Sequence, residues 1–339
     1  MIVQRLARDQ LEFRHGTAEP DFVVPRKNGA TLRGNALMFE IRTFTFILNP
    51  ITTSLPLPCE LKPGHEFRRA TEEEGERICE FLFTGGFGGM KEFAYGEKQP
   101  DGSHLRPDPS NWKYFGIASK TNAGIGSLLH AGNLLEKDIV LGPSLTWMTD
   151  VDGHVGKGAG GNPLKIAQVC ADPFGPGPER EVAAEDIQTW RELAARLDTL
   201  DPEKLQQFGS IETLRTIDPR SPLFALGLFA IIESIITHDA HDQFDSLTHQ
   251  VSTKMVLLSK RFERPLPYDG FQCSPSKLWK KLYEYRSCVA HGSKPVFVEG
   301  PLAALISAER AHSFLWKAAK LLLLQLLTEA ELISDLKDC

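Results

Sequence analysis

Residues 223–236 read LFALGLFAIIESII, a run that is apolar on every face of a helix and not along one stripe. Such a segment has to be surrounded on all sides, so it demands several neighbouring helices and a place at the centre of a bundle. Ser221 followed by Pro222 marks its start: a capping hydroxyl, then a proline whose missing N–H is not needed in the first turn. The run carries one ionisable side chain, Glu233. Burying a carboxylate unpaired is costly, so Glu233 needs a partner, and Arg286 on a later predicted helix is the candidate. The second long apolar run, 314–327, contains Lys317 and Lys320. Neither run offers the roughly 20 uncharged residues of a membrane span, so both are expected in a protein core and no membrane partner is expected.

The sharpest break in composition is 171–183, ADPFGPGPEREVA, where three prolines and two glycines exclude regular structure. We place a linker there, between an N-terminal domain of residues 1–170 and a C-terminal domain of residues 184–339. The fold class is α+β, with a β-rich α+β half followed by an all-α bundle. Residues 36–48, ALMFEIRTFTFIL, are dense in β-branched and aromatic side chains and predict a strand or a pair of strands. Residues 144–149 predict a strand entering a turn at 150–153, where Asp152-Gly153 suits positive φ angles. Thr71 and Glu74 form a capping box for a helix over 71–83, which Gly85 and Gly86 end. Beyond the linker, five helices are predicted, over 184–200, from 222 onward, 245–258, 275–290 and 302–327, with a Pro/Gly loop at 265–274. In the first of them Ile187, Trp190, Leu193, Ala194 and Leu197 fall on one face.

The net charge of −6 and a pI near 6.0 exclude binding of a polyanion by the whole surface. Residues 254–294 differ: nine basic side chains stand against three acidic ones, a plausible footprint for a phosphate backbone. The six cysteines form no CxxC pair and the N-terminus has no apolar core of signal-peptide length, which favours a reduced, cytoplasmic protein. His238, Asp239, His241 and Asp242 have metal-ligand chemistry but lack a second ligand group at a recognisable spacing, so they read as a solvated loop. The glycine-rich run 153–161 has only two residues between its first glycine and GK, and Lys157 is followed by glycine, so it is a hairpin or loop and not a phosphate-binding P-loop. Gly85–Gly89 is a helix stop, and 321–327 is core, too short for a zipper. No metal and no cofactor are expected.

One constellation stands out at 282–292, LYEYRSCVAHG, at the end of a helix that Gly292 is placed to cap. Arg286 and His291 stand in an R-x4-H pattern with the polar Ser287 after the arginine. In this helical order, after the apolar helix with Glu233 and a helix containing DSLTHQVSTKMVLLS, the segment 184–327 resembles the HEPN domains (higher eukaryotes and prokaryotes nucleotide-binding), within them the ApeA-like branch. The resemblance implies a HEPN-type bundle and metal-independent cleavage of RNA, with tRNA among the candidate substrates, to a 2′,3′-cyclic phosphate and a 5′-hydroxyl. It implies His291 as general acid/base and Arg286 as holder of the phosphate; Glu233, paired with Arg286, either orients the arginine in the cleft or is a structural ion pair that sets helix packing. Ser287, Tyr285, Lys280, Lys281 and Lys294 are the expected substrate contacts. The residue types suit the task, since imidazole exchanges protons near neutral pH and guanidinium presents a fixed fork of donors. Five residues along an ideal helix turn a side chain by about 140° and raise it about 7.5 Å, so Arg286 and His291 do not share a face. A site then needs His291 beyond the helix end, or a symmetric partner's copy of the motif across a dyad. A homodimer through the C-terminal bundle is therefore expected. ApeA-like proteins are associated with defence against phage, where RNA damage arrests the cell, and the N-terminal half is the expected place for restraint or for a phage-derived trigger. Two alternatives stay open: a HEPN module that binds RNA or nucleotide without cutting, and a dimerisation module serving an N-terminal recognition domain.

Overall fold

The computed structural model describes residues 40–49, 51–84, 97–98, 100–101, 104–105, 114–121, 124–149, 154–160, 180–239 and 246–338. The first half contributes β1 (Glu40–Ile47), β2 (Ile51–Thr52), β3 (Cys59–Lys62), β4 (His65–Arg69), α1 (Glu72–Thr84), β5 (Glu97–Lys98), β6 (His104–Leu105), β7 (Phe115–Ser119), α2 (Ile125–Leu134), β8 (Leu141–Thr149), β9 (Val155–Gly160) and β10 (Arg180–Glu181). The second half is helical: α3 (Ala184–Leu197), α4 (Pro202–Leu214), α5 (Pro222–Ile236), α6 (Leu247–Leu258), α7 (Pro275–Ala290), α8 (Ala308–Thr328) and α9 (Ala330–Asp338). The chain is thus mixed α+β, an antiparallel sheet followed by helices.

Six strands pair antiparallel in the order β3-β4-β7-β1-β8-β9. Alternation along β1 sorts its side chains between two faces. Phe44 and Phe46 pack with Leu145, Trp147 and Ile78 of α1 in one cluster. Ile47 joins Phe67, Ile117 and the helices in the other. Thr43 and Thr45 share that second face and are buried, and each pairs its hydroxyl across the ladder, to Ser119 at 2.7 Å and to Ser144 at 2.6 Å. The capping box of α1 is formed as read: Glu74 accepts from the Thr71 N–H at 2.9 Å, and Thr71 Oγ1 from the Glu74 N–H at 3.3 Å. Part of the run read as a hairpin or loop is the edge strand β9, which pairs with β8 from Thr149↔Val155 to Ser144↔Gly160. Residues 36–39, 85–89, 150–153, 161–179, and His241 and Asp242 lie outside the described residues.

A single buried cluster runs through both halves, from Phe67 in the sheet through Leu128 and Trp190 to Phe229, Trp279 and Leu322. Trp190 of α3 makes the join: its indole N–H donates to the Leu128 carbonyl in α2 at 2.8 Å, and its ring lies 6.2 Å from Phe67. The end of the run 171–183, read as a linker without regular structure, is the short strand β10, whose Arg180 and Glu181 lie past the last proline and pair parallel with β2. The join is also ionic. Lys320 of α8 donates to the Leu135 carbonyl at 2.6 Å and to the Asp138 carboxylate, and Arg215 at the end of α4 donates to that same carboxylate at 2.6 Å and to Asn133 at 3.0 Å. Burial pushes the Asp138 carboxyl up, but the charges of Lys320 and Arg215 outweigh it and hold the group below its ordinary range. Burial pulls the Lys320 ammonium below its ordinary value, against the opposing pull of Asp138.

The helical half departs from the five predicted helices in three places. α4 and α9 were not anticipated, the first because its apolar positions are sparse and Gly209 interrupts them. The long helix predicted over 302–327 is two elements: a 3-10 turn at Gly300–Leu305, then α8. Ile306 between them has φ 68°, which no helix tolerates, and Ser307 restarts the chain as a cap that accepts from the Arg310 N–H. The all-apolar segment behaves as its pattern demands: Phe224, Ala225, Leu228, Phe229, Ile232 and Ile236 of α5 are buried, and α4, α6, α7, α8 and α9 all pack against it.

Candidate functional site around Arg286

α7 begins with Pro275 in its first turn and turns Leu278, Trp279, Leu282 and Tyr285 inward. This packing fixes which face carries Arg286. Its Nη2 donates to Glu233 Oε2 on α5 at 3.3 Å, the pairing that the lone carboxylate in the apolar helix called for. The pair is neither sealed nor open, with side chains 32% and 17% exposed. Two aromatic rings frame it. Tyr283, three residues before Arg286 and so on the same face of α7, holds its ring 5.4 Å from the guanidinium carbon. Phe229, one turn before Glu233 on α5, meets the Tyr283 ring edge-on at 5.6 Å. Burial, and then the neighbouring carboxylate of Glu233, push the Tyr283 phenol up to about 12, so its hydroxyl keeps its proton at neutral pH.

The pair leaves hydrogen-bonding capacity over. Among the described residues Glu233 Oε1 is buried with no partner within hydrogen-bond distance, although the Tyr283 phenol stands beside the carboxylate. Among the described residues, Arg286 donates only through Nη2, which leaves Nε and Nη1 for another acceptor.

His291 follows the last residue of α7 as its C-cap and is exposed. The Gly292 N–H donates to the Val289 carbonyl and the Ser293 N–H to the Cys288 carbonyl, each at 3.0 Å, a Schellman closure. That closure needs the left-handed conformation, and Gly292 supplies it at φ 70°. Arg286 and Glu233 are brought together, whereas His291 makes no hydrogen bond to either.

The expected substrate contacts separate. Lys280 and Lys294 are exposed, Ser287 is half-buried, and Lys281 is tied to Glu284 at 2.7 Å. Tyr285 is not at the surface: it is fully buried, its hydroxyl lies 2.8 Å from His312 Nε2, and its ring meets Phe297 and His312. It follows Leu278 and Leu282 at helical spacing on the inner face, so in this structure it packs the core and cannot touch a substrate. The basic footprint is also narrower than the count of nine. Lys254 is buried and donates to the Lys337 carbonyl, while Arg261 and Arg264 pair with Glu329 and Glu136. Lys260, Lys277, Lys280 and Lys294 remain as exposed cations. Tyr283 was missed as a site residue, although an aromatic three residues before the motif arginine was a readable signal.

Among the described residues no three of His, Cys, Asp and Glu are grouped to hold a metal ion, and no helix is long and apolar enough to cross a membrane. No protein-family model, curated protein or solved structure matches the chain.

Proposed function

We propose that the helical half is an endoribonuclease of the HEPN type. The observation that carries the reading is Arg286: a guanidinium oriented by Glu233 and Tyr283, half-open to solvent, with two of its nitrogens still able to grip a phosphate. His291 takes the proton from a ribose 2′-hydroxyl, the 2′-oxygen attacks the adjacent phosphorus, and the bond from phosphorus to the 5′-oxygen breaks. The 5′-oxygen takes a proton from the His291 imidazolium as it leaves, giving a 2′,3′-cyclic phosphate and a 5′-hydroxyl and returning the imidazole to its starting state. Arg286 balances the charge that grows on the phosphoryl oxygens. No metal enters the reaction. His291 lies beyond the helix end and makes no hydrogen bond to Arg286 of its own chain; in the proposed homodimer a second copy of the bundle brings its own motif across the dyad to complete the cleft. Restraint of the nuclease falls to the N-terminal half.

The test is incubation of the wild type, Arg286→Ala and His291→Ala with total RNA and with tRNA in excess EDTA. Cleavage by the wild type and loss in both variants is the expected outcome. A wild type that leaves RNA intact, or variants that cut at its rate, overturns the reading. The lack of a hydrogen bond between His291 and Arg286 within the chain favours a second reading, an RNA-binding module without chemistry. A wild type that retains labelled RNA uncut, with binding lost in Arg286→Ala, would establish it.

A further inference from the structure

The inward face of α7 meets a buried imidazole that the proposed chemistry does not use. His312, in the second turn of α8, is 3% exposed and stands between two other elements. Its Nδ1 lies 2.7 Å from the Pro219 carbonyl, in the loop ahead of α5, and its Nε2 lies 2.8 Å from the Tyr285 hydroxyl on α7. A carbonyl only accepts, so Nδ1 carries the proton, Nε2 presents a lone pair, and the phenol donates to it. The bonds therefore run one way, from Tyr285 to His312 to Pro219, and the set is complete only while the imidazole is neutral. A second proton, on Nε2, faces the phenol oxygen. If the hydroxyl turns to accept it, the hydroxyl's own hydrogen loses its acceptor, and Tyr285 is fully buried.

Tyr285 lies behind both residues of the R-x4-H pair. It immediately precedes Arg286, so whatever seats Tyr285 sets how α7 presents the guanidinium to Glu233. It also holds the chain that follows His291. Phe297 meets the Tyr285 ring edge-on at 5.3 Å, while Val296 and Val298 on either side are 50% and 95% exposed, so Phe297 is the inward anchor of this segment.

Little compensates a charge on His312. From α5 it meets the apolar Phe224 ring at 5.9 Å, from α7 the Tyr285 phenol, and from the loop Pro219, whose neighbours Asp218 and Arg220 are paired with each other. The charge that acts on it is the Glu309 carboxylate, one turn earlier on α8. Burial outweighs both that carboxylate and the carbonyl bond, and holds the imidazole below its ordinary value. The folded chain thus disfavours a proton that an opened one takes up. The contribution of these bonds is whole above the ordinary imidazole value and declines as the pH falls below it towards the lowered one.

We propose that Tyr285 and His312 form an acid-sensitive lock behind the candidate site: a neutral His312 seats Tyr285, and with it Arg286 and the segment after His291, and a proton on His312 releases them. His312 is a positioning residue in this scheme. The lock stands on its own geometry, and its effect on cleavage rests on the endoribonuclease reading.

The test follows the full chain at about pH 7.5 and about pH 5, either side of the ordinary imidazole value. Amide hydrogen exchange, corrected for the intrinsic effect of pH, is expected to quicken about tenfold or more in residues 285–299 at the acid condition, the worth of one buried hydrogen bond, with β1 and β8 as the unchanged reference. His312→Gln keeps an acceptor for the Tyr285 hydroxyl but takes up no proton, so the acid step is expected to vanish. Tyr285→Phe keeps the ring against Phe297 and removes the donor that favours the neutral imidazole, so the His312 ring resonance is expected to titrate higher than in the wild type. Should either variant fail to fold, the wild-type exchange and the wild-type ring titration, expected below that of a histidine peptide, still decide. Where RNA is cut, the acid limb of log kcat against pH is expected to approach a slope of about 2 in the wild type, one proton on His291 and one on His312, and about 1 in His312→Gln. A wild type that cuts no RNA removes the nuclease reading and leaves exchange and titration to judge the lock. Equal exchange in 285–299 at both conditions, an acid step that persists in His312→Gln, or a His312 ring that titrates at or above the peptide value overturns the proposal.

Discussion

Two of the ionic groupings among the described residues, around Asp138 and around Glu233, are built to opposite specifications. Around Asp138 both carboxylate oxygens are engaged: Lys320 and Arg215 share them, Lys320 also donates to the Leu135 carbonyl, Arg215 also donates to Asn133, and the two carboxylate partners are 10% and 14% exposed. Around Glu233 the ion pair is a single contact of 3.3 Å, the Tyr283 phenol stands beside the carboxylate, Oε1 has no partner within hydrogen-bond distance among the described residues, and the guanidinium is one-third exposed. A buried carboxylate with both oxygens paired fixes packing, because any rearrangement strands a buried charge. A pair with open valences can take on a third group. On the proposed reading, the Asp138 network is architecture and the Glu233 pair is the place for a ligand.

The comparison breaks first at Lys320. Lys320→Ala leaves the Asp138 carboxylate buried with half its compensation gone, and is expected to cost about 3–5 kcal/mol in denaturant unfolding. The pH dependence has a definite sign. Asp138 titrates below its unfolded value in the wild type, so its contribution is present above the ordinary carboxylate range and is lost as the pH falls through the lowered value. Without Lys320 the carboxyl rises and protonates earlier. The deficit of Lys320→Ala is therefore largest at neutral pH and narrows below about pH 4. A cost no larger than that of a surface substitution would remove the distinction between the two pairs.

Much of this difference was legible in one region and hidden in the other. Glu233 announced itself because it is the one charge in a helix apolar on all sides, and Arg286 because it opens a recognisable pattern. Lys320 sits in a comparable apolar run, yet its partner Asp138 lies 182 positions earlier, in a loop of ordinary composition. Nothing local in the sequence says that this aspartate is buried, since the decision is made by α4 and α8 closing over it. The same limit explains Tyr285 and Lys254. Both stand in a segment whose average is basic and polar, and only the inward face of α7 and the docking of α9 decide that one fills the core and the other caps a carbonyl. Caps were the opposite case: Thr71 with Glu74, Ser221 with Pro222, and Gly292 each act within a few residues, so spacing alone located them.

Glu233→Gln sharpens the comparison from the other side. The change keeps the shape and removes the charge, and the pair is partly solvated, so a stability loss of about 1–2 kcal/mol is expected, well under that of Lys320→Ala. RNA cleavage is expected to fall at least tenfold, because Arg286 loses the group that aims it. The Tyr283 phenol reports the same event spectroscopically. Burial still holds it up, but with the carboxylate gone its absorbance titration moves down from about 12. A stability loss as large as that at Lys320 with unchanged cleavage would make Glu233 architecture too.

The smallest effect is expected at Gly292, where conformation can be separated from contact. A Cβ there would meet nothing within 4 Å, so Gly292→Ala adds no clash, and its cost comes only from holding an L-residue at φ 70°. About 1 kcal/mol is expected for alanine, and less for Gly292→Asn, since asparagine tolerates the left-handed region. The Schellman closure also holds the chain that carries His291, so an end of α7 that frays in the alanine variant displaces the imidazole while leaving Arg286 on its turn. Cleavage in Gly292→Ala is then expected to drop with phosphate-backbone affinity intact, and in Gly292→Asn to recover in step with stability. Affinity and cleavage falling together in Gly292→Ala would mean that the helix end positions Arg286 as well, and the division of labour between the two residues would have to be redrawn.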